Sequence, residues 1–206
     1  PHGWAVGQTA LLATDPSVRA VLFPLTPTLA GGDTVTDADV IIQLGAIAEL
    51  IDDLDMPAPS TVNLSLGRQA RATDARTTTC PSSGLSCQLS RRIFHLERGG
   101  LNTQAPLRTV AIAASGNHRA ALFPATIEHV LAAGSLELLS YRNLGQVNRS
   151  WETPAISDGQ TALMPGTGLC LPSQSGKGHS LSAGSSFSSA VTSAMIADAL
   201  EWYPET

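Results

Sequence analysis

Four short apolar runs limit what this chain can fold into. They are VRAVLFPL (Val18 to Leu25), TVNLSLG (Thr61 to Gly67), the Thr109 to Ala114 part of RTVAIAASGNH, and HVLAAGSL from His129 to Ala133. All four are predicted as strands, the first two covered on both faces, because each is too short for a helix and closes on proline, glycine or serine. Helical spacing fills the intervals. In GGDTVTDADVIIQLGAIAELIDDLD, Thr36 and Asp39 form a capping-box-like pair ahead of Val40, Ile41, Leu44, Ile47, Ala48 and Ile51. SCQLSRRIFHLERGG, residues 86–100, predicts a second helix ending at Gly99 and Gly100. This alternation predicts an α/β fold of three α/β/α layers, a mainly parallel sheet with helices on both faces. Residues 140–179 turn to Gly, Ser, Pro and Asn without periodicity and are predicted as irregular loops and short hairpins. A closely packed central helix is predicted from Ser186 to about Trp202.

Composition narrows the class. With 206 residues, 43% hydrophobic and 14% charged, the chain is expected to form one globular domain over 1–206, with no repeat or linker to divide it. Its net charge is −5 and its densest basic cluster is Arg91-Arg92, so no nucleic-acid or anionic-membrane partner is expected. No apolar run approaches the roughly 18 residues of a membrane span, and the first residues lack the pattern of a signal peptide. Because the chain starts at Pro1, it is expected to lie inside a longer product. Cys80 and Cys87, in TTTCPSSGLSCQ, are close enough for a short disulfide; three free thiols fit equally well, and Cys170 stands alone. The redox compartment is left open by this count.

Serines crowd SAGSSFSSA, Ser182 to Ala190, just before the apolar run VTSAMIADAL. Such serines serve as helix caps. A serine hydroxyl at a helix N-terminus can also act as a nucleophile, with free N–H donors beside it for a negatively charged intermediate. Several other chemistries are excluded. Gly176-Lys177 lacks the rest of a phosphate loop, and no G-x-S-x-G, H-E-x-x-H or C-x-x-C occurs. His95, His118, His129 and His179 are expected to be ordinary solvated or capped side chains. His2 differs, because it directly precedes the small-residue helix GWAVGQTALLA. In open parallel sheets, sites form at the carboxyl ends of strands, and two such ends are Ser65-Leu66-Gly67 and Ser115-Gly116-Asn117. A simple turn is the commoner use of such residues.

Taken in order, these pieces resemble the subtilisin-like serine proteases, the subtilases. HGWAVGQ is similar to the family's histidine motif H-G-T-x-V-A-G, with Trp4 in place of Thr; VNLSLG resembles I-N-M-S-L-G; AASGN resembles A-A-G-N; MPG, Met164 to Gly166, resembles A-P-G. GSSFSSA, Gly184 to Ala190, is similar to G-T-S-M/F-A-A-P. The resemblance implies Ser186 as nucleophile, His2 as general base and later acid, and Asn117 as an oxyanion donor. It implies that Ser65, Leu66 and Gly67 pair with an extended peptide, while Ala114, Ser115 and Gly116 wall the side-chain pocket. No cofactor is implied as a requirement. A structural calcium ion is compatible with the family, without any ligand set here, and no catalytic metal is expected. Implied partners are a peptide or protein substrate and a prodomain in the parent protein; secretion is favoured by the resemblance alone.

Departures accompany the matches. The family's catalytic aspartate precedes its histidine in a D-T/S-G motif, so this domain is expected to lack the Asp-bearing segment, and also the family's C-terminal end after Thr206. Asp33, Asp37 and Asp39 fit a loop and a helix cap, not that role. Loss of the orienting carboxylate lowers a triad's rate on the order of 10⁴, so the 206-residue chain alone is expected to be nearly inactive. Ala190 replaces the usual Pro, and Ser188-Ser189 replaces Ala-Ala. The alternative to a peptidase is a subtilase-like domain without catalysis that keeps the groove for peptide binding or scaffolding.

Overall fold

A computed structural model describes residues 2–17, 35–53, 61–80, 83–98, 109–117, 122–136, 161–166, 169–173 and 177–203. In chain order the elements are α1 (His2–Ala13), α2 (Asp37–Asp53), β1 (Thr61–Leu64), β2 (Arg68–Gln69), α3 (Leu85–Glu97), β3 (Val110–Ala114), β4 (Leu122–Phe123), β5 (Leu131–Leu136), β6 (Thr161–Pro165), β7 (Leu169–Pro172), β8 (His179–Ser182) and α4 (Ser185–Trp202). The predicted strand Val18–Leu25 and the helix end at Gly99-Gly100 lie outside the described residues, as do Asp33 and His118.

The main sheet has the order β1-β3-β5-β6, parallel throughout, with Asn63 opposite Ile112, Ala113 opposite Ala132, and Ala133 opposite Ala162. Successive residues of β3 face opposite layers. Ala111 and Ala113 join the core formed with Val40, Leu44 and Ala48 of α2 and Leu89, Ile93 and Leu96 of α3. Those helical residues repeat every three or four positions, so each helix turns one apolar stripe to the sheet. α4 packs across β1, β3, β5 and β6, and α1 packs on α4. Three α/β/α layers result.

α2 begins as its sequence predicts. Thr36 N–H and Oγ1 donate to Asp39 Oδ2 (2.8 and 2.6 Å), and Asp39 N–H returns a bond to Thr36 Oγ1 (3.3 Å). These bonds from the Thr36 hydroxyl and amide hold the Asp39 carboxyl below its ordinary pKa.

Three expectations need correction. β6 is a full member of the parallel sheet inside the segment predicted as loops and hairpins; among the described residues there, β7 and β8 form a hairpin. TALMP gave no sign of it because a strand paired by its main chain on one side, with Leu163 exposed, needs no apolar alternation. β5 starts at Leu131, not His129, because Val130 N–H closes a turn on Ile127 O (3.0 Å). The central packing of α4 is confined to its first half, from Ser185 to Ala194, with Met195 and Trp202 exposed. Of the two cysteine readings the disulfide holds: Cys80 is bonded to Cys87, and Cys170 is an exposed free thiol.

An ion-pair network that sequence reasoning missed ties the edge of this framework together. Arg68 forks onto Asp74 (2.7 Å to each oxygen) and reaches Asp37 Oδ2 at 2.8 Å, with its guanidinium 4.7 Å from the Phe123 ring centroid. Burial opposes ionisation of Asp74, but the bonds from Arg68 and from Arg71 N–H outweigh it and hold the carboxyl below its usual range. A group with a depressed folded pKa stabilises the fold above its unfolded value, near pH 4, and loses that contribution as pH falls through the folded value. Arg68→Met is therefore expected to cost about 1 to 3 kcal/mol at pH 7, with the deficit shrinking below about pH 4. Urea melts of both proteins across this range provide the check. A deficit constant down to pH 2 would assign the effect to Arg68 packing alone.

Candidate active site

Parallel strands in register bring their carboxyl ends to one edge, and there the predicted residues gather. β1 runs into Ser65-Leu66-Gly67, β3 into Ser115-Gly116-Asn117, and β6 into Gly166, while α4 starts among them at Ser185.

The serines do not cap α4. Its N-cap is Gly184, with φ at 141°, a conformation that favours glycine, and no side chain of the cap residue bonds the first turn. Strand ends hold that turn from outside. Asn117 Oδ1 accepts Ser185 N–H (2.7 Å), Gly116 N–H donates to Ser185 Oγ (3.0 Å), and Gly184 N–H donates to Gly166 O (2.7 Å). Ser188 Oγ donates to Met164 O (3.0 Å). Ser186, the second helical residue, is half-buried, and its hydroxyl donates to Ser65 O at 3.3 Å. Among the described residues no acceptor takes the Ser186 N–H, so this donor and the helix dipole are free to act on an anion.

His2 is the first residue of α1 and is exposed. Val6, Phe187, Leu171 and Ala190 form a small core between α1, α4 and β7, which places the His2 ring edge-on to Phe187 at 5.6 Å between centroids. The imidazole thus lies against the residue that follows Ser186. No carboxylate among the described residues pairs with it.

Ser65 is half-buried, Leu66 partly buried and Gly67 exposed; Ala114, Ser115 and Gly116 are buried. The Ser115 hydroxyl donates to Ala133 O (2.8 Å), and Ser115 O accepts Leu122 N–H (3.3 Å). β4, which pairs with β2 right after Gly67, therefore bridges the two predicted walls. Sequence reasoning missed β4. The signal was the short apolar pair Leu122-Phe123 before Pro124, too brief to stand out as a strand.

Other histidines belong elsewhere. His129 Nδ1 lies 2.6 Å from Glu97 Oε2, and its Nε2 is 3.4 Å from Ser90 Oγ. This Ser-His-Glu series is not a second nucleophile, because Ser90 is 0% exposed; it fastens α3 to the start of β5. His95 sits within α3, where burial first and then Arg92 and Arg91 push its pKa down. His179 opens β8 and is exposed. Among the described residues no group of three His, Cys, Asp or Glu could hold a metal ion, and no helix is long and apolar enough to cross a membrane.

No protein-family model and no curated protein matches the chain. Solved structures do. The prenylagaramide maturation protease PagA is 17% identical, with a TM-score of 0.58 over 86% of this chain and 54% of its own. Sphericase is 13% identical, with a TM-score of 0.57 over 84% and 52%. A cold adapted subtilisin-like serine proteinase is 17% identical, with a TM-score of 0.53 over 82% and 50%. The chain spans about half the length of these structures. Its fold is that of subtilisin-like proteases.

Proposed function

We propose that, on this subtilisin-like protease fold, the chain carries the histidine-to-serine part of a serine endopeptidase. The observation that carries the reading is the Asn117–Ser185 bond. With Oδ1 engaged as acceptor, the amide's Nδ2 is left to donate at the start of α4, near Gly184, where the Ser186 N–H is the second donor. Ser186 Oγ attacks the scissile carbonyl carbon while its proton passes to His2. The resulting oxyanion is held by Asn117 Nδ2 and Ser186 N–H. Collapse breaks the C–N bond, His2 returns the proton to the leaving amine, and water repeats the sequence on the acyl-enzyme. An extended substrate lies along Ser65-Leu66-Gly67, with its side chain before the cut between Ala114-Ser115-Gly116 and β4. The carboxylate that orients His2 comes from outside the described residues.

A second reading, a peptide-binding domain without catalysis, is favoured by one contact: the Ser186 hydroxyl donates to Ser65 O. One experiment separates the two. The full-length protein carrying this chain is treated with a fluorophosphonate, which bonds phosphorus to the serine oxygen and expels fluoride, and the adduct is located by peptide mass mapping. A stoichiometric adduct on Ser186 is expected. A folded full-length protein that takes no label leaves only the binding domain.

A further inference from the structure

Ser65, Ser189 and the carbonyl of Ser186 form a closed triangle of oxygens. Ser189 Oγ donates to Ser186 O (2.9 Å), Ser65 Oγ reaches the same carbonyl (2.9 Å), and the two hydroxyls are 2.8 Å apart. Asn63 Oδ1 also lies 2.9 Å from Ser65 Oγ, so the single Ser65 hydroxyl proton is shared between it and the Ser186 carbonyl. A back-bond from a helical serine to a carbonyl one turn earlier is ordinary, and Thr192 and Ser193 make such bonds further along α4. What sets Ser189 apart is the second hydroxyl, which belongs to the strand end whose carbonyl also accepts Ser186 Oγ. Ser186 is thus held to this segment through its carbonyl, while the weaker hydroxyl bond to Ser65 O must open before Oγ can attack. Ser189 is fully buried, so water does not substitute for a lost partner.

Resting on the assignment of Ser186 as nucleophile, we propose that the Ser65 and Ser189 hydroxyls are positioning residues that fix the Ser186–Phe187 peptide through its carbonyl, and so set the Ser186 Cα and the direction its Oγ takes toward the scissile carbonyl. This role of the Ser65 side chain is separate from the main-chain pairing of Ser65 with substrate. Removing either hydroxyl loosens the same joint, so the chemical step slows while the groove that binds peptide keeps its shape.

The test uses the full-length protein with Ser65→Ala, Ser189→Ala, the double variant, and Ser193→Ala, which removes a buried back-bond of the same kind one turn away. Peptide hydrolysis gives kcat and KM separately, and thermal melts report stability. Each single variant is expected to lower kcat about 10-fold with KM within about 2-fold of wild type, the double variant to fall little further than the worse single, and Ser193→Ala to keep its kcat. The proposal is overturned if the single variants turn over like wild type, if their losses multiply in the double variant, or if Ser193→Ala slows as much for the same loss of stability. A wild-type protein that takes no fluorophosphonate overturns the nucleophile assignment and this role with it, an outcome distinct from labelled wild type with unaffected variants.

Discussion

Ser186→Ala is expected to lower peptide hydrolysis by about 10⁶-fold and Asn117→Asp by at least about 10²-fold, magnitudes known for the nucleophile and for one oxyanion donor in a subtilisin. The gap between them follows from their roles. On the proposed assignment, no acyl-enzyme would form without the Ser186 hydroxyl, whereas without the Asn117 amide the Ser186 N–H would still offer one donor to the oxyanion. Aspartate is the informative replacement at 117, because it keeps the oxygen that accepts Ser185 N–H (2.7 Å) and removes the donor. The helix terminus should therefore stay capped, with a melting temperature close to wild type, while an anion now faces the developing negative charge. Steady-state kinetics beside thermal melts read both quantities. Asn117→Asp that hydrolyses peptide at the wild-type rate would reduce Asn117 to a helix cap, and full activity in Ser186→Ala would move the nucleophile elsewhere.

The same bond shows what could and could not be seen in the sequence. The ends of β1 and β3 and the start of α4 follow from apolar runs closing on small residues, although β1 stops at Leu64 and not at the predicted Gly67, and parallel strands then bring those ends to one edge. The capping of α2 by Thr36 and Asp39 is local, a matter of three residues, and was legible for that reason. That Asn117 rather than a serine satisfies Ser185 N–H was not legible, because the two residues are 68 positions apart and only the folded sheet makes them neighbours. Arg68, Asp37 and Asp74 met the same obstacle: three charges on three segments show no spacing that predicts a fork. β6 was missed for a different reason. Its partner supplies the main-chain bonds, so its side chains carry no pattern.

Gly166 was visible in the sequence as the end of Met-Pro-Gly, but its task emerges only from the packing beneath α4. A Cβ built there overlaps the hydroxyls of Ser188 and Ser135 and comes within 2.8 Å of Gly184 O. Hydroxyls can rotate aside; the Gly184 carbonyl is backbone and cannot move without carrying the helix start with it. Gly166 O also accepts Gly184 N–H (2.7 Å), so the two peptides are already in contact. Gly166→Ala is accordingly expected to destabilise the fold by about 1 to 3 kcal/mol, the usual cost of overpacking. The displaced Gly184 shifts Ser186 relative to Asn117, which should lower kcat about 10²-fold, the scale of loss for a catalytic group misplaced by about 1 Å. The same substitution at Gly45, inside α2 with no atom nearer than 3.8 Å, should instead stabilise by about 0.5 to 1 kcal/mol and leave turnover alone. Chemical denaturation and kcat for the two variants supply the comparison, and equal effects at both glycines would show that the start of α4 tolerates movement and that its contacts do not aim the serine.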